Sequence, residues 1–358
     1  MPNWDGSDLD LHPSDVSPLN CKSTKTSPDP SRATPIMSTS KTSESASAPQ
    51  DIEKYGIPEP EPFISFQALK DRIRHHYEVA SDYYYTLWGE HIHHGYWITP
   101  NDTKEKAQVQ LIELLLQRSE FKAGSKVLDV GCGIGGTSRF LAKTYGCAVT
   151  GVTISGRQVE LAKKLTLEAS KEQQAPANGI MKLGDGSVQF IELDAEKMGE
   201  YFIADEKAGK FDCVWISEAM SHFPNKPLFF ENAAKLLNPG GKLMVADWFK
   251  NAGLSEAEFK ADISPIEDGM LLPPLCTQSD YVEMAEKAGF KIFAEPLDIS
   301  KEVAKTWDLS WGLIQSPALW AFAVSQGRDG LAFFQSFRAM RRGYANGSFR
   351  YAVMVFQK

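Results

Sequence analysis

Apolar runs and amphipathic segments alternate along residues 126–299, and this alternation is the strongest signal of the fold. The apolar runs have the composition of buried strands, and the segments between them carry apolar side chains at helical spacing. Because strands that alternate with helices form a sheet covered on both faces, the pattern predicts an α/β fold with a doubly wound, mostly parallel sheet that binds its ligand at the strand C-termini. Seven strands are expected, within Lys126–Val130, Ala148–Ser155, Ser187–Ala195, Lys210–Phe223, Lys242–Phe249, Phe290–Ile299 and Ser348–Phe356.

Amphipathic segments extend the pattern on both sides of the alternating region. Apolar spacing predicts a helix from Phe66 to Trp88 and a second helix capped near Thr103, whereas residues 168–187 are polar and predict a loop. Residues 1–50 consist mainly of Ser, Thr, Pro and charged side chains, a composition that predicts disorder. We expect a disordered tail (1–50) and one domain (60–358), divided into N-terminal cap helices (60–120), a ligand-binding core (126–249), and lid insertions with the rest of the sheet (250–358).

Composition narrows the class of protein. The 358-residue chain is 42% hydrophobic and carries a net charge of −8, which supports a globular core and argues against nucleic acid as the main partner. Five cysteines lie without paired spacing, which favours reduced thiols and a cytoplasmic location. The sequence predicts no membrane span and no targeting leader.

A glycine-rich turn follows the first strand, in the run KVLDVGCGIGG. Glycines at Gly131, Gly133 and Gly136 allow a sharp turn and direct contact between the backbone and a ligand. The next helix, with Thr137 or Ser138 as its expected cap, directs free N–H groups towards the space above the turn. The turn therefore predicts a ligand site.

Two classes of cofactor use such a turn, and the positions of carboxylates separate them. A dinucleotide site needs an acid about 20 residues further on to bind the ribose, but the second strand ends in Thr153 and Ser155. Asp129 precedes the glycines, where a carboxylate repels a diphosphate and attracts an ammonium. These positions favour S-adenosylmethionine over a nicotinamide cofactor.

The run VLDVGCGIGG resembles motif I of the class I methyltransferases. Upstream of it, the run WGEHIHHGYW, from Trp88 to Trp97, resembles the corresponding segment of the tocopherol methyltransferase family, to which the cyclopropane fatty-acid synthases are related. The resemblance implies methyl transfer from S-adenosyl-L-methionine by direct in-line displacement, and an antiparallel terminal strand. The roles that it implies for cofactor binding fall on Tyr77, Asp129, Gly131, Gly133, Gly135, Thr153, Ile154, Gln158, Asp194, Ala195 and Ser217. Among them, Asp194 and Ala195 resemble the family's pair that contacts adenine, with the carboxylate facing the exocyclic amine.

Two residues after the fourth strand are the catalytic candidates implied by the same resemblance. Glu218 and His222 match the family's pattern, and His222 is the candidate for accepting a proton or orienting the acceptor. Ser221 stands where the family usually has a second glutamate, so a shared acid–base role of a carboxylate pair is not implied. The histidines of the run WGEHIHHGYW offer a metal-site alternative, but ring coverage of a ligand with local hydrogen bonds is the favoured interpretation, and no metal is expected.

Aromatic and aliphatic side chains predict a largely apolar small-molecule acceptor, methylated at C, N or O. The expected wall comprises Trp88, Tyr96, Trp97, Phe223, the run Met270–Leu275 and the aromatic-rich helices of residues 301–343. Two other classes remain open, namely a nicotinamide oxidoreductase and an inactive cofactor-binding partner subunit. The sequence leaves the oligomeric state open.

Overall fold

The computed structural model describes residues 65–358 except 173, 204–210, 314 and 316, so the predicted disorder of residues 1–50 lies outside the described residues. The helices are α1 (Phe66–Trp88), α2 (Lys104–Arg118), α3 (Gly136–Tyr145), α4 (Gly156–Ser170), α5 (Met198–Ile203), α6 (Lys226–Leu236), α7 (Glu256–Glu258), α8 (Ser264–Gly269), α9 (Gln278–Lys287), α10 (Ser300–Val303), α11 (Lys305–Leu313), α12 (Pro317–Ser325) and α13 (Gly327–Asn346). Short 3₁₀ turns cover Ala195–Lys197 and Met220–His222, and a π-helical segment covers Phe259–Ile263.

The strands are β1 (Lys126–Val130), β2 (Ala148–Thr153), β3 (Met181–Leu183), β4 (Gly186–Glu192), β5 (Phe211–Ser217), β6 (Leu237–Lys250), β7 (Lys291–Asp298) and β8 (Phe349–Gln357). They form one mixed sheet in the order β3-β4-β2-β1-β5-β6-β8-β7. Strands β4, β2, β1, β5 and β6 are parallel, while β8 pairs antiparallel with both β6 and β7. The doubly wound, mostly parallel sheet and the antiparallel terminal strand are thus confirmed.

The prediction of seven strands is wrong by one, because the segment interpreted as a loop contains β3. This strand pairs antiparallel with β4 through the tight turn at Gly184, and it buries Met181 and Leu183. Three residues are too few to produce a recognisable alternation of apolar and polar positions, so the sequence pattern contains no signal for it.

Both faces of the central strands are buried. Val127 and Leu128 are adjacent in β1, yet they belong to two different apolar clusters, one on each side of the sheet. Because successive side chains of a strand point to opposite faces, helices must cover both sides, as a doubly wound fold requires.

Local sequence accounts for several helix starts. Thr103 and Ser155 cap α2 and α4 by accepting hydrogen bonds from backbone N–H groups, and Thr277 opens α9 in a capping box with Asp280. The expected cap of α3 at Thr137 or Ser138 is wrong: Gly135 is the N-cap, and the Ser138 hydroxyl bonds to Asp129 instead.

The C-terminal ends of β1, β2, β4 and β5 lie side by side along the C-terminal edge of the parallel strands. Helix α1 and the segment 89–97 lie over this C-terminal edge. Helix α13 packs on α8 and contributes the aromatic side chains beside this edge. No helix in the described part of the chain combines the length and apolarity that a membrane crossing requires.

Candidate functional site

The glycine turn between β1 and α3 is built around two differently surrounded glycines. Gly131 has a φ of 72°, and a Cβ there would lie 2.3 Å from the Cβ of Ala219. Gly133 has a φ of 53°, but a Cβ there would meet no atom within 4 Å. Gly131 is therefore required by packing, whereas Gly133 faces open space that a ligand can enter.

Two further glycines of the turn serve packing. A Cβ at Gly135 would lie 2.5 Å from the Phe190 ring, and one at Gly136 would lie 2.0 Å from the carbonyl oxygen of Glu90. Gly135 lies in the same turn as Gly133 but lines neither of the two cavities beside it.

A main cleft runs across the strand ends beside the turn. Its lining includes eleven of the predicted residues: Tyr77, Gly131, Gly133, Thr153, Ile154, Gln158, Asp194, Ala195, Ser217, Glu218 and His222. Thr153 donates a 2.6 Å hydrogen bond to the side-chain oxygen of Gln158, and both side chains are buried. The Gln158 amide is thereby fixed with its NH₂ group as the end that remains to donate to a ligand.

Asp129 lies in a smaller glycine-turn cavity that adjoins the main cleft, and the two share Ile92, Gly131, Gly133 and Ser217. Its carboxylate accepts a 2.6 Å hydrogen bond from Ser138, and burial raises its pKa to about 6. None of the ion pairs between described residues involves Asp129. A buried carboxylate without a cation is a suitable partner for a ligand ammonium group.

Helix α1 bridges the two rims of the main cleft. Lys70 donates a 2.9 Å hydrogen bond to Asp194 on one rim, and Glu78 accepts a 2.8 Å hydrogen bond from Ser155 on the other. The second oxygen of Asp194 accepts from the backbone N–H of Glu196 at 3.0 Å. Both oxygens of the carboxylate predicted to contact adenine thus already have protein partners.

An aromatic cavity adjoins the main cleft beside α1, with about 760 Å³ of atom-free space that is partly open to solvent. Its lining combines tryptophan and phenylalanine rings with a few polar groups, the usual make-up of a small-molecule site. The apolar part consists of Ile73, Trp88, Ile92, Trp248, Met270, Leu271, Trp307, Phe333 and Phe337.

This lining corrects several parts of the wall expected from the sequence. Phe223 faces the main cleft, while Leu272 and Leu275 are buried in the core. Tyr96 packs against the core, and the Trp97 indole donates to Thr306 at 3.4 Å beneath the Lys305 ammonium. Phe223, Tyr96 and Trp97 are thus absent from the lining of the aromatic cavity.

The main cleft and the aromatic cavity share a wall made of Ile73, Tyr77, Ile92, Glu218 and His222. The Tyr77 hydroxyl lies 3.3 Å from Nε2 of His222. Burial, reinforced by the charge of Glu218, raises the pKa of Tyr77 to about 12, and burial lowers the pKa of His222 to about 4. Both groups are therefore neutral near pH 7, with the phenol positioned to donate to the imidazole.

Glu218 anchors a buried hydrogen-bond network behind this wall. It accepts from the backbone N–H of His94 at 2.7 Å, from His94 Nδ1 at 2.9 Å and from the Tyr351 hydroxyl at 2.8 Å. Burial pushes its pKa upward, but His94 outweighs that effect and the pKa is below its usual value. With a φ of 53°, Glu218 occupies the left-handed region that a non-glycine residue adopts only when its surroundings compensate.

Two other histidines of the run WGEHIHHGYW are buried beside the site. Burial lowers the pKa of His91 to about 3 and lowers that of His93 as well. Within the part of the chain that the structure describes, no three His, Cys, Asp or Glu side chains form a group able to hold a metal.

Lys226 is a functional-site residue that sequence reasoning missed. Its buried ammonium donates to the carbonyl oxygens of Ser221 (3.3 Å) and Phe223 (3.0 Å), on either side of His222. The contact fixes the turn that carries the imidazole. An isolated lysine at a helix start resembles any surface lysine in the sequence, so no signal identifies it.

A model of the family described as mycolic acid cyclopropane synthetase matches residues 66–309. The chain is 29% identical over 307 residues to a probable chloroplastic tocopherol O-methyltransferase of Oryza sativa subsp. japonica, which covers 81% of this chain and 78% of the relative. It is 30% identical over 203 residues to O-methyltransferase rstn1 of Aspergillus nomiae, with 56% and 80% covered.

The fold also matches a solved structure. The crystal structure of a mycolic acid cyclopropane synthase complexed with SAH and CTAB superposes with a TM-score of 0.66 at 19% identity, covering 81% of this chain and 98% of that chain. At this identity the likeness establishes the fold alone.

Proposed function

Because the chain belongs to the mycolic acid cyclopropane synthetase family, we propose that it methylates a C, N or O atom of a largely apolar small molecule in specialised metabolism. It is an S-adenosylmethionine-dependent methyltransferase. The observation that carries the proposed acceptor class is the wall shared by the main cleft and the aromatic cavity. A methyl donor in the main cleft and an acceptor molecule in the aromatic cavity would meet at this wall, beside Tyr77 and His222.

The residues of the main cleft suit S-adenosylmethionine. In our proposal Asp129 binds the ammonium, the Gly131–Gly133 backbone supports the methionine part, and Ser217 lines the passage between the glycine-turn cavity and the main cleft. Gln158 and Thr153 bind the ribose, and Ala195 with Asp194 borders the adenine. When bound, the cofactor supplies an activated methyl group on sulfonium.

The protein's own part in the reaction is alignment and exclusion of water. Tyr77 and Ile92 belong to both linings and separate the two ligands except where the methyl group passes. While Nε2 accepts from Tyr77, the neutral His222 ring carries its hydrogen on Nδ1 and can orient the acceptor; taking a proton from the acceptor requires Tyr77 to release Nε2. Glu218, held by three hydrogen bonds, positions His94 at the cavity wall.

The division of the chain belongs to the same proposal. In this proposal the helices α1 and α2 close the cofactor side, residues 126–249 bind the cofactor, and residues 250–358 enclose the acceptor. The cysteines Cys132, Cys147, Cys213 and Cys276 are free thiols, which supports a reducing compartment such as the cytoplasm.

Calorimetric titration tests the cofactor assignment directly. The protein should bind S-adenosylmethionine and S-adenosylhomocysteine but neither nicotinamide dinucleotide, because the second strand ends in Thr153 without a ribose-binding acid. Preference for a dinucleotide would contradict the proposal.

Methyl transfer from labelled cofactor tests the acceptor class. Lipophilic phenols, indoles and terpenoid-like compounds should be methylated in preference to catechols, amino acids and oligonucleotides, since the cavity is walled by Trp88, Trp248 and Phe337. Transfer confined to the hydrophilic group would refute the proposed acceptor class. Cofactor binding without transfer to any compound would instead favour an inactive partner subunit.

A further inference from the structure

His93 carries a buried ring nitrogen that the folded chain does not use. Its Nδ1 lies 2.8 Å from the carbonyl oxygen of His94, and since a carbonyl only accepts, Nδ1 carries the hydrogen of this bond. The neutral ring must then have Nε2 as an acceptor, and Nε2 has no partner among the described residues. The side chain belongs to a residue that is only 8% exposed and that lines the aromatic cavity.

The backbone around His93 is fixed. The side-chain amide of Gln108 donates to the carbonyl oxygens of both His91 and His93, the latter at 3.1 Å, and Gln108 is itself buried. The imidazole is thus anchored by its own Nδ1 and by its peptide group. An acceptor that is held rigidly and left without a donor is poised for a ligand donor.

Trp248 adds the complementary group to the same cavity. Its indole N–H is buried and has no hydrogen-bond acceptor among the described residues, and Trp248 lines the aromatic cavity but neither the main cleft nor the glycine-turn cavity. The Trp307 indole N–H and Nδ1 of His222, on the same lining, are likewise buried without a partner among the described residues, so the wall presents several unpaired donors and, at His93 Nε2, an unpaired acceptor. A hydroxyl group answers both needs because it donates one hydrogen bond and accepts others.

We infer that His93 is a specificity-determining residue whose Nε2 accepts a hydrogen bond from a hydroxyl group of the acceptor molecule. The acceptor is accordingly a lipophilic phenol or alcohol, not a plain hydrocarbon. The inference rests on the proposed function, because it takes the aromatic cavity to be the acceptor site. In the proposed function the acceptor is held by apolar contacts, and His93 is the polar group that orients it.

His93 also borders the glycine-turn cavity, where a cofactor ammonium is the competing donor. The glycine-turn cavity also has unpartnered groups, Nδ1 of His91 and the Trp215 indole N–H, but Asp129 already offers the ammonium a buried carboxylate there. The unpartnered groups of Trp248, Trp307 and His222 lie on the aromatic cavity instead. The acceptor side is therefore favoured, and the two assignments predict different effects of the same substitution.

Binding of matched probes to the full-length protein saturated with S-adenosylhomocysteine tests the inference by calorimetry. The probe pairs are 2-naphthol with naphthalene and 4-hexylphenol with hexylbenzene, each pair differing only by the hydroxyl. The wild type should bind each phenol at least about ten-fold more tightly than its hydrocarbon, about 1.4 kcal/mol. The variants are chosen by shape: Asn at position 93 reproduces the Nδ1 donor and lacks Nε2, while Gln reproduces a polar atom at the Nε2 position.

His93→Asn should reduce the preference for phenols to two-fold or less while the hydrocarbons bind as before, and His93→Gln should restore part of it. His75→Asn, an exposed histidine on α1, is the matched control and should leave the preference unchanged. Thermal melting shows whether each variant folds. If His93→Asn does not fold, the inference is tested by the wild-type preference for phenols and by the change of that preference in His93→Gln.

Two results would overturn the inference while leaving the proposed function intact. One is normal binding of S-adenosylhomocysteine with neither phenol preferred over its hydrocarbon. The other is a His93→Asn variant that loses cofactor affinity but keeps the preference for phenols. Failure of the wild type to bind the cofactor would instead refute the proposed function.

Discussion

Replacing Gly133 with valine should separate cofactor binding from folding. Gly133 has a left-handed backbone and open space at its Cβ position, so a side chain there projects into the main cleft without striking protein atoms. The left-handed conformation costs a non-glycine residue at least about 1–2 kcal/mol. Against a typical total of about 5–15 kcal/mol, the Gly133→Val protein should still fold, with a melting temperature lowered by a few degrees.

The loss of cofactor affinity follows from the volume that the isopropyl group takes. If it excludes about five ligand atoms, each worth about 0.3 kcal/mol in a ligand of this size, affinity falls by about 1.5 kcal/mol. That corresponds to slightly more than a ten-fold rise in Kd. Calorimetric titration with S-adenosylhomocysteine measures the change directly, without requiring the acceptor to be known.

Gly124→Val provides the matched control. Gly124 also has a positive φ, 76°, and open space at its Cβ position, but it lies in the turn before β1 and outside the lining of the main cleft. It should suffer the same backbone strain and keep wild-type affinity. Unchanged affinity in Gly133→Val would show that the site is misplaced, and an equal loss in both variants would show that strain alone is responsible.

The remaining predictions concern catalysis, stability and the N-terminal segment. Tyr77→Ala should weaken both cofactor binding and turnover, whereas Tyr77→Phe should restore binding but not turnover, because only the hydroxyl reaches His222. Calorimetry measures the binding and steady-state kinetics the turnover, and a Tyr77→Phe variant with wild-type turnover would contradict the prediction. Lys226→Met should lower the unfolding free energy by about 1–3 kcal/mol in urea titrations, since the carbonyl oxygens beside His222 lose their donor; an unchanged midpoint would count against the contact. Lowering the pH from 7 to 4 should destabilise the fold, because His76, His91 and His222 bind protons near pH 6.5 when unfolded but only at about 4, 3 and 4 when folded. The buried carboxyls of Asp129 and Asp247, whose folded pKa values are about 6, oppose this trend over the same range, but they are fewer and their pKa values are less shifted. A rise in stability on acidification would therefore refute the lowered pKa values of the three histidines. Deletion of residues 1–50 should leave melting temperature and turnover unchanged, and a loss of several degrees would show that the segment docks.

Short-range chemistry explains what the sequence predicts well. The strand–glycine–helix run requires no distant partner, so the carboxylate of Asp129 and the open position at Gly133 follow from local spacing. The same holds for the Ser155 cap, which sets the position of Gln158. These features depend on neighbours within a few residues, where periodicity and capping rules apply.

Contacts between distant segments explain what the sequence does not predict. Glu218 and His94 are 124 residues apart, and neither position reveals that the two side chains form one pair. Trp248 looks like ordinary strand core, and only the placement of α13 turns it into a cavity wall with an unpaired N–H. Likewise, Lys70 on α1 donates a hydrogen bond to Asp194. The lysine thus occupies a carboxylate that the resemblance assigned to adenine.

The position of β8 also sets the order in which the molecule can be completed. It is the last of the eight strands to leave the ribosome, yet it lies between β6 and β7 and contributes Tyr351 to Glu218. Until it arrives, one edge of β6 and one edge of β7 expose unpaired backbone groups, which attract other unfinished chains. Quality control in the cell should therefore recognise a copy that ends before Phe349–Gln357, since the loss of this strand separates β7 from the rest of the sheet.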